Sequence, residues 1–349
     1  MFTMRSRVAL MLTVIQIGWL AGCASAGAGV ADSSNGSGAN ITTGTSDAGT
    51  GPSGALILYT CASENVEQAL IAAFGKIHPE AKVKVFRAAT GPLNAKIAAD
   101  VRSGGVQADV IWTCDPLTMH NYDQQKLLKP WAPPNAADIP AAYRTANFTG
   151  IDVLYLTLVV HHGVPAPSSW ADLTGPTYQN AVGLPSPKFA ASALGMLGYL
   201  ASAPGYGTDF YRKLKSNGAV QVDSPSDTLT GVEQGRFKVG VALANAAYLD
   251  QRKGSPIGVV WPKPGGIAIY SPIGITTKKD LSPFAEQFAD FAAGPQGQKA
   301  MADKNTYVTL PGLGGPPIPA GAPVTSPDWP SLFGSSTKVL AEYSTIFGA

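Results

Sequence analysis

The chain has 349 residues, which is enough for about two domains. Its composition, with 45% hydrophobic and 14% charged residues, predicts folded domains with a weakly charged surface rather than a disordered chain. The net charge is +2, and loss of Arg5 and Arg7 with a predicted N-terminal leader would give a net charge of zero. The chain also has no cluster of Lys and Arg of the kind that nucleic-acid binding needs. Three cysteines exclude a small disulfide-stapled scaffold.

The first 54 residues read as an export signal followed by a tether. In residues 1–22, two arginines precede an apolar stretch that is shorter than the roughly 20 residues a membrane span needs. Residues 20–23, LAGC, resemble the lipobox of bacterial lipoproteins, which predicts cleavage before Cys23 and lipidation of Cys23. An ordinary secretory signal is the alternative. Residues 23–54 are mostly Gly, Ser, Ala and Thr, which is typical of a flexible tether.

Alternating strand and helix patterns begin at residue 55. A continuous apolar run at 55–60 predicts a strand that is buried on both faces, and residues 82–86 and 108–112 predict two more. Between them, Ser63 is typical of a helix N-cap before the apolar face from Val66 to Ile77, and Pro92 lies near the start of a helix with Leu93, Ile97 and Val101 on one face. This β-α-β-α-β order predicts a parallel sheet.

The rest of the chain continues in the same style. Strands are predicted at residues 181–184, 237–243 and 265–276, a helix start at Trp170, and helices at 192–201, 245–253, 284–291 and 339–347. Residues 312–327 are rich in proline and glycine and predict a surface connection.

Sequence patterns of common catalytic sites are missing. The chain has no G-x-x-x-x-G-K-[ST], H-E-x-x-H or G-x-S-x-G pattern, and no carboxylate pair stands out for acid–base work. His161 and His162 would point to opposite faces of an extended segment, so we expect two partly exposed strand histidines rather than a metal site. The sequence therefore predicts neither an enzyme nor a bound cofactor.

Several short motifs occur in one order along the chain. They are YTCAS at 59–63, TG at 90–91, ADVIW at 108–112, PSSWADL at 167–173, GVEQGRFKVG at 231–240, and FADF at 288–291 followed by QGQ at 296–298. Together they resemble the type II periplasmic solute-binding proteins, in the branch that takes up ferric ion, phosphonates, sugar phosphates and thiamine. Arg236 stands where an acidic residue is usual in that family.

The resemblance implies an α/β, two-lobed periplasmic-binding-protein type II fold with a ligand cleft between the lobes. Lobe one would comprise residues 55–151 and 265–349, and lobe two residues 152–264. Such a protein is a receptor without catalytic residues that closes on its solute and docks on the membrane permease of an ABC importer. We expect a monomer, held outside the cytoplasm by its lipid anchor.

The cleft residues follow from the rule that ligands sit at the carboxyl ends of parallel strands and at helix N-termini. The residues predicted to line it are Thr60, Cys61, Ser63, Thr90, Gly91, Trp112, Thr113, Cys114, Asp115, Ser186, Ser192, Asn245 and Tyr248. Serine and threonine at helix starts are also ordinary caps, and Trp112 is equally compatible with a core position. Neutral donors at helix N-termini suit a small organic anion, such as a sugar phosphate or a phosphonate.

Iron is the alternative ligand that the resemblance raises. The His and Glu ligands of the ferric branch align with Ser63 and Cys114, and its tyrosine pair aligns with Ala246 and Ala247, one residue before Tyr248. Ferric ion needs several anionic oxygen ligands, so we expect no metal site. An extracytoplasmic α/β enzyme and a sensory or adhesive lipoprotein with the same fold remain alternatives from other classes.

Two cysteines follow predicted strands that are neighbours when the order is 2-1-3. In that order the strands ending before Cys61 and Cys114 lie about 4.8 Å apart, close to the spacing that a disulfide spans. We expect a Cys61–Cys114 disulfide at the cleft in the oxidising compartment outside the cytoplasm, with two buried thiols as the alternative.

Overall fold

The structure is a computed structural model that describes residues 55–348, so the predicted signal, the tether and the lipidation site at Cys23 lie outside the described residues. The strands are β1 (Leu56–Thr60), β2 (Val83–Arg87), β3 (Val110–Trp112), β4 (Phe148–His161), β5 (Val182–Pro185), β6 (Val220–Val222), β7 (Val239–Leu243), β8 (Ile257–Val260), β9 (Gly266–Ile275), β10 (Tyr307–Val308) and β11 (Val324–Thr325). The α-helices are α1 (Glu64–Ile77), α2 (Thr90–Arg102), α3 (Pro116–Gln124), α4 (Ala191–Ser202), α5 (Gly207–Ser216), α6 (Pro225–Glu233), α7 (Ala244–Arg252), α8 (Ala285–Ala293), α9 (Pro295–Ala302) and α10 (Trp329–Phe347). Within this part of the chain, no helix combines the length and the apolar character needed to cross a bilayer.

The predicted β-α-β-α-β unit at the start is confirmed. β1 pairs in parallel with β2 on one side and with β3 on the other, which gives the 2-1-3 order. The apolar faces of α1 and α2 are buried at Leu70, Phe74 and Leu93, but Ile77 and Val101 are 50% and 40% exposed. Both residues lie in the last turn of their helices, so the apolar spacing extends beyond the buried part of each face.

Two long antiparallel strands occupy the middle of the sheet. The order β2-β1-β3-β9-β4-β7-β5-β6 puts β9 and β4 between a first half-sheet (β2-β1-β3) and a second half-sheet (β7-β5-β6). All ten residues of β9 are buried, which explains the apolar run that predicted it. The register of the β4–β9 pair shifts between Gly150 and Asp152, so Ile151 is an extra residue that changes the direction in which the following side chains point. The predicted α/β class is confirmed.

The later predictions hold with shifted ends. The helix start at Trp170 is a short 3₁₀ helix, Trp170–Thr174, in which Ser169 and Asp172 form a reciprocal capping box. The helix predicted at 284–291 is α8, and residues 339–347 are the second half of α10.

The carboxylate of Asp109, in the ADVIW motif, is completely buried and fastens three segments together. It accepts hydrogen bonds from the Ile57 N–H of β1 at 2.7 Å, from the Ser282 N–H at 2.9 Å, and from the Lys278 ammonium at 2.9 Å. The motif therefore has a structural role in the first half-sheet, since this carboxylate is occupied within the fold.

Candidate functional site

A cleft of about 390 Å³ opens over the central strands. The ends of the first half-sheet supply one wall, with Cys61 after β1, Arg87 at the end of β2 and Cys114 after β3. The opposite wall comes from the end of β7 and the start of α7, at Leu243 and Asn245. The cleft thus lies where the two half-sheets meet, which is the kind of position that α/β folds use for ligands.

The floor of the cleft comes from the two central strands. Asp152 and Leu154 of β4 lie two residues apart and share a face, and Ser271 of β9 is the register partner of Asp152. The segment at Lys304–Thr306 before β10 completes the lining, because β10 pairs with β4 opposite Asp152 and Val153.

Five of the thirteen residues predicted to line the cleft do so, namely Cys61, Ser63, Trp112, Cys114 and Asn245. Ser63 is exposed at the N-cap position of α1, and its side chain makes no capping hydrogen bond. Trp112 is 1% exposed, so it both packs in the core and contributes to the cleft wall. The two interpretations of Trp112 are therefore compatible.

Three predicted residues at strand ends are buried away from the cleft lining. Thr60 accepts a hydrogen bond from the Ala62 N–H, and Thr113 donates one to the carbonyl of Asp115. Asp115 caps α3 by accepting from the Thr118 N–H, and burial raises the pKa of its carboxyl to about 6. These side chains shape the turns that follow β1 and β3.

The remaining five predicted residues also lie outside the cleft lining. Thr90 and Gly91 form the first turn of α2, and Ser186 and Ser192 are buried near the start of α4. The hydroxyl of Tyr248 accepts a hydrogen bond from Trp261 Nε1 at 2.9 Å. None of these five residues lines the cleft, although Tyr248 lies one turn beyond Asn245 on α7.

Cys61 and Cys114 are joined by a disulfide in the structure, with their Cα atoms 5.9 Å apart. Both cysteines line the cleft, and the bond links the ends of the neighbouring strands β1 and β3. A covalent bond therefore joins the ends of β1 and β3 in this wall of the cleft.

Sequence reasoning missed several polar residues of the cleft, which are Asn65, Arg87, Asp152, Ser226, Ser271, Lys304, Asn305 and Thr306. Arg87 directly follows the predicted strand 82–86, so the strand-end rule that selected Thr60 and Trp112 would have found it. Asp152 lies inside a strand that crosses the sheet, and residues 304–306 reach the cleft only through the β10–β4 pairing. Neither carries a local signal.

Asp152 is the most unusual ionisable group of the cleft. Its carboxyl is buried and accepts a hydrogen bond from Trp112 Nε1 at 3.1 Å, and its register partner Ser271 lies beside it. Burial raises the pKa of Asp152 to about 7, and the neighbouring Trp112 and Ser271 side chains only partly oppose this effect. The pKa of this carboxyl therefore lies well above that of an exposed aspartate.

Two further polar atoms in the cleft have no hydrogen-bond partner among the described residues. They are the side-chain oxygen of Asn245 and the hydroxyl of Thr306, and both are buried. Asn305 holds this region in place through its side chain. Its Nδ2 donates to the backbone carbonyl of Asn245 at 2.6 Å, and its Oδ1 accepts from Arg252 at 2.7 Å. The two partnerless atoms are thus fixed inside the cleft.

Three of the four positions that align with the ferric ligands line the cleft, and the fourth, Ala247, is buried outside the lining. Ser63, Cys114 and Ala246 all line the cleft, and Cys114 is in the disulfide. Tyr248 is not part of the lining, and residues 55–348 contain no group of three His, Cys, Asp or Glu side chains suited to a metal ion.

Over residues 37–304, the sequence matches the family of bacterial extracellular solute-binding proteins. The chain belongs to this family. The Spermidine/putrescine-binding periplasmic protein of Salmonella typhimurium is a relative of this solute-binding protein, 25% identical over 248 residues that cover 64% of the chain and 67% of the relative.

Solved structures of solute-binding proteins share the fold. The periplasmic binding protein AfuA from Actinobacillus pleuropneumoniae, with fructose-6-phosphate bound, is 19% identical at a TM-score of 0.73 and covers 84% of this chain and 98% of its own. Iron-bound HitA from Pseudomonas aeruginosa is 19% identical at a TM-score of 0.72, covering 84% and 99%. The predicted two-lobed architecture is confirmed by these neighbours.

The family also defines the general activity. As a solute-binding protein, the chain is the extracellular or periplasmic component of an ABC importer, which binds a small ligand and interacts with a membrane permease. The family and its solved neighbours are solute-binding proteins and not enzymes.

Proposed function

We propose that the cleft binds a small organic anion, of the sugar-phosphate or phosphonate type, for delivery to the importer. The observation that carries this proposal is the charge of the lining. Among the described residues that line the cleft, the charged types are Arg87, Lys304 and Asp152, and the single carboxyl has its pKa raised to about 7. The lining therefore carries more cationic than anionic side chains.

Helix N-termini add to this positive potential. The first residues of α1, α6 and α7 reach the cleft through Asn65, Ser226 and Asn245. Backbone N–H groups at a helix start have no partner within the helix, and the helix dipole favours an anion there. Cys61, Ser63, Trp112, Cys114 and Asn245 are the sequence-predicted residues that we assign to ligand contact.

The same lining argues against other ligands. A polyamine carries several positive charges, which Arg87 and Lys304 would repel, although the curated relatives are named for spermidine and putrescine. Direct ferric coordination would need several anionic oxygens, and the lining offers only the Asp152 carboxyl. Arg87 lies 3.6 Å from Glu64, but both side chains are partly exposed, so this ion pair leaves Arg87 available to a ligand.

The organisation of the whole chain is part of the proposal. We assign residues 1–22 to a signal peptide, Cys23 to lipidation and residues 23–54 to a tether that holds a monomeric receptor at the cell membrane. Residues 55–151 with 265–349 would form lobe one and residues 152–264 lobe two. The motif at residues 20–23 supports the anchor, and the central position of β4 and β9 supports the division.

Substitution of Arg87 tests the charge argument. We expect a sugar phosphate or phosphonate at a hundredfold excess over its Kd to raise the Tm of the wild-type chain by roughly 5–10 °C. Arg87→Gln should weaken binding on the order of tenfold, because it removes a charged side chain that donates hydrogen bonds to the ligand. Thermal-shift and calorimetric titrations with sugar phosphates, phosphonates, inorganic phosphate, spermidine, thiamine and ferric citrate measure both effects.

The matched control is Arg102→Gln, which removes the same charge at an exposed position outside the cleft lining. It should bind as the wild type does. A response to spermidine or ferric citrate alone, or equal losses in the two variants, would refute the anion proposal.

Ser63 provides a second test with a smaller effect. Because its hydroxyl makes no capping bond and is exposed, Ser63→Ala should leave the free energy of unfolding within about 0.5 kcal/mol of wild type. A hydroxyl that contacts the ligand should nevertheless cost several-fold in affinity, roughly 0.5–1.5 kcal/mol. Denaturation and calorimetry on the same sample separate the two quantities, and unchanged affinity would remove Ser63 from the site.

A further inference from the structure

We infer that the solute carries, besides its anionic group, a hydroxyl or ammonium donor that binds a set of acceptor atoms buried in the cleft. These acceptors are the carboxylate of Asp152, the side-chain oxygen of Asn245 and the hydroxyl oxygen of Thr306. The inference rests on the proposed anion-receptor function and narrows it to ligands with two chemically different ends.

The carboxylate of Asp152 has unused hydrogen-bond acceptor positions. A carboxylate accepts about four hydrogen bonds, and Trp112 Nε1 occupies one of these positions. The extra residue at Ile151 changes the facing of β4, so that Asp152 lies on the face that lines the cleft. Part of its acceptor capacity therefore remains for a bound molecule.

The cleft also contains a pair of partnerless oxygens. Thr306 is 4% exposed, and its hydroxyl oxygen, like the side-chain oxygen of Asn245, has no hydrogen-bond partner among residues 55–348. Buried polar atoms in native proteins are nearly always paired, so two such atoms in one cleft indicate a missing partner. A donor on the solute would satisfy them.

The cationic side chains of the cleft and its acceptor groups differ in their exposure to solvent. Lys304 is exposed and Arg87 half-buried, whereas Asp152 and Thr306 are buried. The cations are therefore the more exposed polar groups of the cleft, and Asp152 and Thr306 are the more buried ones. A cleft of about 390 Å³ also has room for more than an inorganic phosphate ion. The solute that fits enters with its donor end first and leaves its anionic end near the opening.

Matched ligand pairs test this directly on the full wild-type chain. One pair is 2-aminoethylphosphonate with ethylphosphonate, which differ by the amine, and the other is glucose 6-phosphate with cyclohexylmethyl phosphate, which lacks the ring hydroxyls. We expect the donor-bearing member of at least one pair to bind on the order of tenfold tighter or more, because buried acceptors discriminate against a ligand that leaves them unpaired. The pair that responds distinguishes an ammonium from a hydroxyl.

Thr306→Val tests one of these acceptors, since valine has nearly the same shape and no hydroxyl. Because the threonine oxygen has no partner, the unliganded Tm should stay unchanged or rise, while affinity for the donor-bearing ligand falls several-fold and affinity for its donor-free match does not change. Thr157→Val is the matched control: Thr157 is also buried with a partnerless hydroxyl, but it lies outside the cleft lining. It should not affect either affinity.

Asp152→Asn separates the inference from its main rival. If the protonated carboxyl of Asp152 donates to the anionic group instead, the amide replaces that donor and affinity for both members of a pair is kept or raised. The inference predicts a selective loss for the donor-bearing ligand. Equal affinities within both pairs, or retention of the preference in Asp152→Asn and Thr306→Val, overturn the inference and leave the anion proposal standing, whereas no binding of any anion overturns both.

Discussion

Replacement of Asp109 by alanine is expected to lower the free energy of unfolding by about 3–5 kcal/mol. The carboxylate is completely buried, so its removal deprives the Ile57 and Ser282 N–H groups of the acceptor that Asp109 supplies. It also leaves the ammonium of Lys278, which is only 18% exposed, without its 2.9 Å partner. Urea denaturation followed by circular dichroism measures the change.

Two variants make the Asp109 result specific. Asp138→Ala removes the same charge from an exposed position and should change stability by less than about 0.5 kcal/mol. Asp109→Asn keeps one acceptor oxygen without the charge and should fall between wild type and alanine. A loss of under about 1 kcal/mol for Asp109→Ala would contradict the role assigned to this carboxylate.

Removal of the Cys61–Cys114 disulfide is expected to destabilise the protein by about 4 kcal/mol, the chain-entropy value for cysteines 53 residues apart. For a domain of this size the loss corresponds to a decrease in Tm of roughly 10 °C. The double variant Cys61→Ala/Cys114→Ala and reduction of the wild type should give similar results, because both release the ends of β1 and β3.

The double variant is also the control for the reductant, since it has no bond between these strands to break and its Tm should not respond. Intact mass after thiol alkylation, with and without reductant, counts the bonded cysteines independently. Two alkylated thiols at Cys61 and Cys114 in freshly purified protein would be incompatible with the disulfide.

Local patterns predicted the first half-sheet well because its elements are adjacent in sequence. The apolar run before Cys61, the N-cap at Ser63 and the helix start near Pro92 each depend on a few neighbouring residues, and the 2-1-3 order then places Cys61 beside Cys114. The same patterns set the helix ends within a few residues. The exposure of Ile77 and Val101 could not be predicted, because helical periodicity does not show where the packing surface ends.

The cleft was predicted less completely because its floor is formed by distant segments. Asp152 lies in β4 with apolar neighbours, and nothing nearby in sequence marks the position at which this strand crosses the sheet. Thr306 meets it through the two-residue strand β10, more than 150 residues later. The strand-end rule identified wall residues such as Cys61 and Cys114. It does not identify Asp152, because this residue lies inside a strand rather than at its end.

The pairing of β3 with β9 also affects how the chain is made. Val110 pairs with Ile275, so one edge of β3 stays open until the segment containing β9 has been synthesised. Late, non-local pairing of this kind slows folding, and an unpaired apolar edge invites association with other chains. The first half-sheet depends on the C-terminal part of the protein for its completion, so we expect chains that end before Gly266 to be prone to aggregation.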